Sequence, residues 1–106
     1  IKVTLFFDRE ISRLDQESWQ VILLNLQECF TNMIKYSGAD GCKIVFCRLN
    51  KLIRVSVEDN GKGCHAVKKG MGLLGMEERT AAVRGRLIVD GSDGFRTIML
   101  IPVGKE

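Results

Sequence analysis

The chain is poor in the residues from which self-contained chemistry is usually built: among 106 residues it has one histidine, one tryptophan, one tyrosine and one proline. The four cysteines, at positions 29, 42, 47 and 64, form no CxxC pair. With His65 alone beside Cys64, they do not supply the roughly four paired ligands that a structural zinc needs. Cys29, Cys42 and Cys47 stand among apolar neighbours and read as reduced structural thiols in a cytosolic setting. No run approaches the roughly 20 apolar residues that span a bilayer, and the densest, residues 21–24 and 98–101, suit a helix turn and a strand. This part of the chain is therefore expected to make no direct membrane contact. Nor is there a large excess of either charge. Sixteen basic and thirteen acidic residues leave a dispersed net charge of +3, which gives no basis for nucleic-acid binding. No signal peptide is evident, and a start at Ile1 rather than Met suggests a piece of a longer protein.

What is present suits one soluble globular domain over residues 1–106, with 45% hydrophobic and 27% charged residues. Residues 1–7 alternate as a strand. The spacing of Trp19, Ile22, Leu23, Leu26, Cys29, Phe30, Met33 and Ile34 predicts a helix over about 16–36 with one buried face, closed by Gly38. Strands are expected at 43–49 and 52–58, joined across Asn50-Lys51. A glycine-rich, lysine-bearing loop follows over 59–72, then a second helix over about 73–83, then a hairpin of 87–89 and 95–103. The expected fold is α/β in the α+β sense: a two-layer sandwich whose mixed sheet is covered by helices on one face.

Three clusters can carry chemistry. Glu28 and Asn32 are four apart, and Lys35 is three further on, so on a helix they line one side, away from the centre of the apolar stripe. An acid, an amide oxygen and a cation in one row suit hydrated Mg²⁺ with phosphate, and equally suit a solvated helix face. Asp59-Asn60-Gly61-Lys62-Gly63 closes a strand. It is a turn signal, and it also offers a carboxylate to an exocyclic amine such as that of adenine, with glycines that let backbone approach a flat ring. Gly70-Met71-Gly72-Leu73-Leu74-Gly75 runs into a helix, with Asp90 about where a ribose-binding acid would fall. Residues 66–69 before it form a loop rather than the strand that a dinucleotide fingerprint demands, so that reading fails. What survives is a glycine-rich helix start suited to anions, with Lys68 and Lys69 adding charge.

An E-x-x-x-N helix, then D-x-G-x-G after a strand, then G-x-G-L-x-G opening a helix, resembles the GHKL superfamily of ATP-binding domains (the Bergerat fold). The three stretches resemble its asparagine box and its two glycine boxes. Gly72-Leu73-Leu74-Gly75-Met76-Glu77-Glu78-Arg79, then Gly85-Arg86-Leu87 and a last strand ending at Pro102, is similar to the nitrate-sensor-type bacterial histidine kinases. The resemblance covers about residues 15–103.

It implies ATP and Mg²⁺ as cofactors, held between the asparagine-box helix and a lid. By position, Asn32 would coordinate Mg²⁺ bridged to the phosphates, with Lys35 near them. Asp59 would bind the adenine amino group, and Gly61 and Gly63 would admit the base. Gly70, Gly72, Leu73 and Gly75 would shape the lid and phosphate cradle, and Thr97 would help hold a water on the adenine side. Glu28 is assigned to the metal and phosphate environment, with a catalytic part open to it. The partners implied are a dimerisation domain carrying the phosphoaccepting histidine and, downstream, a response regulator, in a cytoplasmic setting whose parent protein could be membrane-anchored. His65 falls in the lid with no acid after it, so the fragment is not expected to phosphorylate itself.

Three positions depart from the family pattern: Tyr36 in place of histidine, Arg84-Gly85 in place of a double glycine, and Phe95 before Arg96-Thr97 in place of a smaller turn. They leave room for a degenerate nucleotide-sensing or interaction domain. A serine kinase of the anti-sigma-factor type, which shares the boxes, is the other alternative.

Overall fold

Alternating branched and polar residues lay out five strands, β1 (Lys2–Phe7), β2 (Gly41–Leu49), β3 (Leu52–Asp59), β4 (Arg86–Asp90) and β5 (Arg96–Pro102), with helices α1 (Gln16–Asn32) and α2 (Leu73–Ala82). The computed structural model describes residues 2–8, 14–61, 72–91 and 94–103. Gly63, His65, Lys68, Lys69 and Gly70, all named above, lie outside them. The strands form one sheet of order β1-β2-β3-β5-β4, in which β1 runs parallel to β2 and every other pairing is antiparallel. The parallel pair needs a crossover, and α1 supplies it. Asn50, with φ of 56°, turns the tight β2–β3 connection, as asparagine in a hairpin loop commonly does. Both helices cover one face, giving the two-layer α+β sandwich expected.

The covered face carries Cys42, Ile44 and Phe46 from β2, Ile53, Val55 and Val57 from β3, and Thr97, Met99 and Ile101 from β5, all buried. Ile22 of α1 and Met76 of α2 complete this core without exposed surface. Each such side chain contributes on the order of 1.5–3 kcal/mol by leaving water. Phe46 is flanked by Phe7, stacked at 4.4 Å, and by Trp19 at 5.8 Å. On the opposite face the register aligns Lys43, Glu58, Arg96 and Asp90 in one row of alternating charge. Arg96 lies 3.8 Å from both Glu58 and Asp90.

Helix α1 departs from expectation in two respects. Its buried face is centred on Ile22, Asn25 and Cys29 and extends to Asn32, whereas Leu23 (61% exposed) and Ile34 (72% exposed), counted in the apolar stripe, face outward. The reason is that α1 is covered on two sides, by the sheet below and by α2 alongside, which leaves its remaining edge to solvent. The helix also does not run on as α-helix to Tyr36. Residues Met33–Ser37 form a π-helical turn, ended by Gly38 in the left-handed region. Asp15 caps the start, its carboxylate accepting from the Ser18 N–H at 2.8 Å, and that bond holds its pKa below the ordinary carboxylate value.

Arg84-Gly85 closes α2 in a Schellman motif: the Gly85 N–H donates to the Thr80 carbonyl (2.8 Å) and the Arg84 N–H to that of Ala81 (3.0 Å). Gly85 is sterically required, since a Cβ there would meet Ile101 Cδ1 at 2.8 Å and the Leu100 carbonyl at 2.9 Å. Arg84 takes the left-handed position, φ 61°, where a Cβ is unfavourable. Arg84→Gly should therefore stabilise the fold by about 1 kcal/mol, raising the thermal midpoint by roughly 4–8 °C. Fluorescence of the single Trp19, packed on Phe46, reports the transition. An unchanged midpoint would show that Arg84 carries no strain.

Candidate functional site

The topology gathers four chain ends at one edge of the molecule: the C-terminal turns of α1, the N-terminus of α2, the end of β3 and the start of β5. Three contacts establish this. Asn25 of α1 meets Arg79 and Thr80 of α2, and Glu28, one turn on, meets Gly72. Advancing along α1 therefore means retreating along α2, and the two helices lie antiparallel. At the sheet end, Ser37 of the π turn abuts Gly61, where a Cβ would come within 2.8 Å of the Ser37 Cβ and 2.9 Å of its Oγ. Ser37 is itself fixed, donating to the Met33 carbonyl (2.9 Å) and accepting from the Ala39 N–H (3.1 Å).

Gly72 caps α2 with φ of 76°, and the Glu28 carboxylate occupies the space a side chain would need. A carboxylate at a helix N-terminus is favourably placed against the helix dipole. Leu73, next in line, is buried. Gly75 is covered by Arg79, whose Nη1 would lie 3.3 Å from an added Cβ. Asn32, one turn beyond Glu28, is buried at 4% exposure rather than lying on a solvated side, which corrects its expected placement; Lys35 on the π turn is exposed. Asn25 and Glu28 of the same row face α2.

Asp59 ends β3 with 7% exposure. Its Oδ1 accepts from the Gly61 N–H (2.9 Å) and the Phe95 N–H (3.2 Å), while its own N–H donates to the Phe95 carbonyl (3.1 Å). Among the described residues no donor reaches Oδ2, which leaves one oxygen of a rigidly held carboxylate for a ligand. The β3–β5 register that sets Val57 opposite Thr97 also sets Asp59 beside Phe95, and the Phe95 ring joins the core. Thr97 is buried next to Cys29 and hydrogen-bonds it.

Cys29 marks the centre of the cluster. Burial pushes its thiol up to about 11, opposed by the Thr97 hydroxyl and reinforced by the charges of Glu28, Cys42 and Asp59. Cys42 is raised too, by burial and then by Asp59. Cys29, Cys42 and Cys47 are free thiols, as expected. No group of three or more His, Cys, Asp or Glu side chains is arranged for a metal among the described residues. A surface hollow of about 450 Å³ touches Asp59 from the face opposite the helices, lined by Lys2, Thr4, Lys43 and Glu58. It shares Asp59 with this cluster but includes no residue of α1 or α2.

Sequence reasoning passed over Asn25, Thr80 and Ser37. The Asn25 amide donates to Thr80 Oγ1 (2.9 Å) and Met99 Sδ (3.3 Å) and accepts from Arg79 Nε (3.2 Å). The available signal was spacing, since residues 25, 28 and 32 share a row, but a lone amide among leucines hid it.

Because folding keeps the Cys29 thiol protonated, its contribution to stability is fully present below pH 9 and is lost as pH rises toward 11. Cys29→Ala should flatten the fall in stability over that interval relative to the unsubstituted chain, measured by urea denaturation at stepped pH. Identical slopes would contradict the burial argument.

No protein-family model matches the chain. It is 33% identical over 98 residues to the sensor histidine kinase YvfT of Bacillus subtilis, covering 92% of this chain and 26% of that protein. It is 36% identical over 100 residues to the sensor histidine kinase DesK of the same organism, covering 83% of this chain and 27% of that one. The chain thus spans about a quarter of the curated relatives it matches. In fold it is similar to the blue-light activated histidine kinase EL346 of Erythrobacter litoralis, with a TM-score of 0.76, 21% identity and coverage of 96% of this chain and 35% of that one. It is also similar to the ATP binding domain of PrrB from Mycobacterium tuberculosis, with a TM-score of 0.67, 18% identity and coverage of 81% and 69%.

Proposed function

Since the chain belongs to the sensor histidine kinase family, we propose that it is the ATP-binding catalytic domain of such a kinase, binds Mg-ATP and presents the γ-phosphoryl group to a histidine on a separate dimerisation domain. The observation that carries this reading is the meeting of the three boxes: Glu28 on Gly72, Ser37 on Gly61, and Asp59 held by two backbone donors with an oxygen to spare.

The adenine amino group donates to Asp59 Oδ2, and Gly61 is the position that lets Ser37 pack beside that carboxylate. Thr97, beside Cys29, helps hold a water on that side. The triphosphate extends toward the N-terminus of α2, where the backbone of Gly72, Leu73 and Gly75 forms its cradle and Lys35 supplies charge. The Asn32 amide oxygen, together with phosphate oxygens and waters, is a donor set suited to Mg²⁺, which when bound would neutralise phosphate charge. Glu28 lies on the phosphate side, where it would orient the reacting end. The similarity of residues 72–79 to nitrate-sensor-type kinases refines this reading within the family. A response regulator's aspartate is the onward acceptor. Among the described residues no helix is long and apolar enough to cross a membrane.

Calorimetric titration tests the adenine contact. In Asp59→Asn the Oδ1 bonds to Gly61 and Phe95 can persist, which turns an NH₂ donor toward the adenine amine, another donor. Affinity for Mg-ATP should fall about tenfold or more. No heat from the unsubstituted chain at millimolar Mg-ATP, or an unchanged Asp59→Asn affinity, would defeat the assignment. Asn32→Asp should behave differently, losing Mg-ATP affinity while keeping that for adenosine; equal losses for both ligands would place Asn32 away from the metal.

A further inference from the structure

The arginine of α2, Arg79, covers Gly75. Arg79 is half-buried, and its Nε is tied to the oxygen of an amide with no other freedom. Asn25 has no exposed surface, and its NH₂ group is committed to Thr80 Oγ1 and Met99 Sδ, so its oxygen can face only Arg79. Thr80 is locked in turn by donating to the Met76 carbonyl at 2.6 Å. From this anchor the side chain runs toward the helix N-terminus, as long helical side chains do, and brings Nη1 over Gly75, one turn from the contact of Gly72 with Glu28. Among the described residues no carboxylate pairs with its guanidinium.

We propose that Arg79 is a phosphate-recognising residue of the nucleotide site and that Asn25 is its positioning residue; the proposal rests on the Mg-ATP reading above. A triphosphate entering beside Glu28 meets a carboxylate already in place, and a fixed guanidinium on the same stripe of α2 offsets that repulsion. Guanidinium is the side chain best matched to phosphate oxygens, being always charged and able to donate in pairs. With Nε held by Asn25, the terminal N–H groups remain to be offered. Gly75 is the position that yields the space: any side chain there would crowd the guanidinium.

A purely structural Arg79 would serve only to tie α1 to α2, and the two roles separate by ligand. Mg-ATP and adenosine are titrated calorimetrically into the unsubstituted chain, Arg79→Gln, Arg79→Lys and Asn25→Leu, with thermal midpoints recorded for each. Arg79→Gln keeps a donor near Asn25 but no charge; its Mg-ATP affinity should fall about tenfold or more while adenosine affinity stays within about twofold. Arg79→Lys, keeping the charge, should recover part of that loss. Asn25→Leu, keeping Arg79 but releasing it, should lose Mg-ATP affinity less than Arg79→Gln and leave adenosine alone. Parallel losses for both ligands, or an Arg79→Gln chain that binds Mg-ATP as well as the original, would overturn the proposal while leaving the nucleotide site standing. An unsubstituted chain that binds neither ligand would remove the site and this role together.

Discussion

The lateral packing of α1 against α2 is the constraint on which the site depends. Two helices covering a sheet can slide along each other by a turn, about 5.4 Å, with little change in apolar burial. A buried amide removes that freedom. Asn25 satisfies its donors and its acceptor only when Thr80, Met99 and Arg79 stand where they do. A slipped register would leave those groups buried without partners, at a cost of about 1–3 kcal/mol for each. Glu28 meets Gly72 because Asn25, three residues earlier, has already met α2. The polar contact inside the layer thus sets the polar contact at its rim.

The sheet supplies the second half of the geometry by a different means. Asp59 is held by backbone donors from its own turn and from the strand across, so its placement follows from the β3–β5 register rather than from a side-chain network. A one-residue slip in that register would turn Val55, Val57, Met99 and Ile101 out of the core. Asp59 is thereby coupled to the bulk of the hydrophobic core. Glu28 is coupled to one amide and the side chains around it.

This difference explains what could be read from residues alone. The strands, both helices and the one-sided sandwich follow from apolar periodicity, and the three boxes from spacings within single elements: four residues from Glu28 to Asn32, two from Asp59 to Gly61, three from Gly72 to Gly75. Each is local, and a local pattern survives in a one-dimensional string. The orientation of α1 does not, because its buried face is decided by two neighbours. Periodicity chose the stripe of Leu23 and Ile34, which is exposed, and so put Asn32 on the outside. Asn25 read as an interruption of that stripe when it is the residue the helix pair is built on. Phe95 and Arg84 stood out as departures from a family pattern. Phe95 belongs to the core, and Arg84 tolerates a position beside a glycine that steric contact requires. The π turn at Met33–Ser37, which seats Ser37 against Gly61, has no sequence signal in the apolar pattern.

Charge balance links these observations. Glu28 and Asp59 both disfavour ionisation of the buried Cys29 thiol. A third anion there would oppose any polyphosphate. Cys29 does not become one near neutral pH, because the same burial that packs it into the core keeps its proton on. What remains is a pair of carboxylates with separate surroundings. Asp59, fixed by N–H donors, is set up to accept from a neutral base, and Glu28, against the positive end of α2, stands where negative charge is already partly compensated. Arg79 and Lys35 are the cations on the helices flanking that second carboxylate, one tethered and half-buried, the other exposed on the π turn. The two carboxylates are thus suited to different partners: Asp59 is fixed to accept from a neutral donor, and Glu28 sits where a helix N-terminus and a tethered cation already offset its charge.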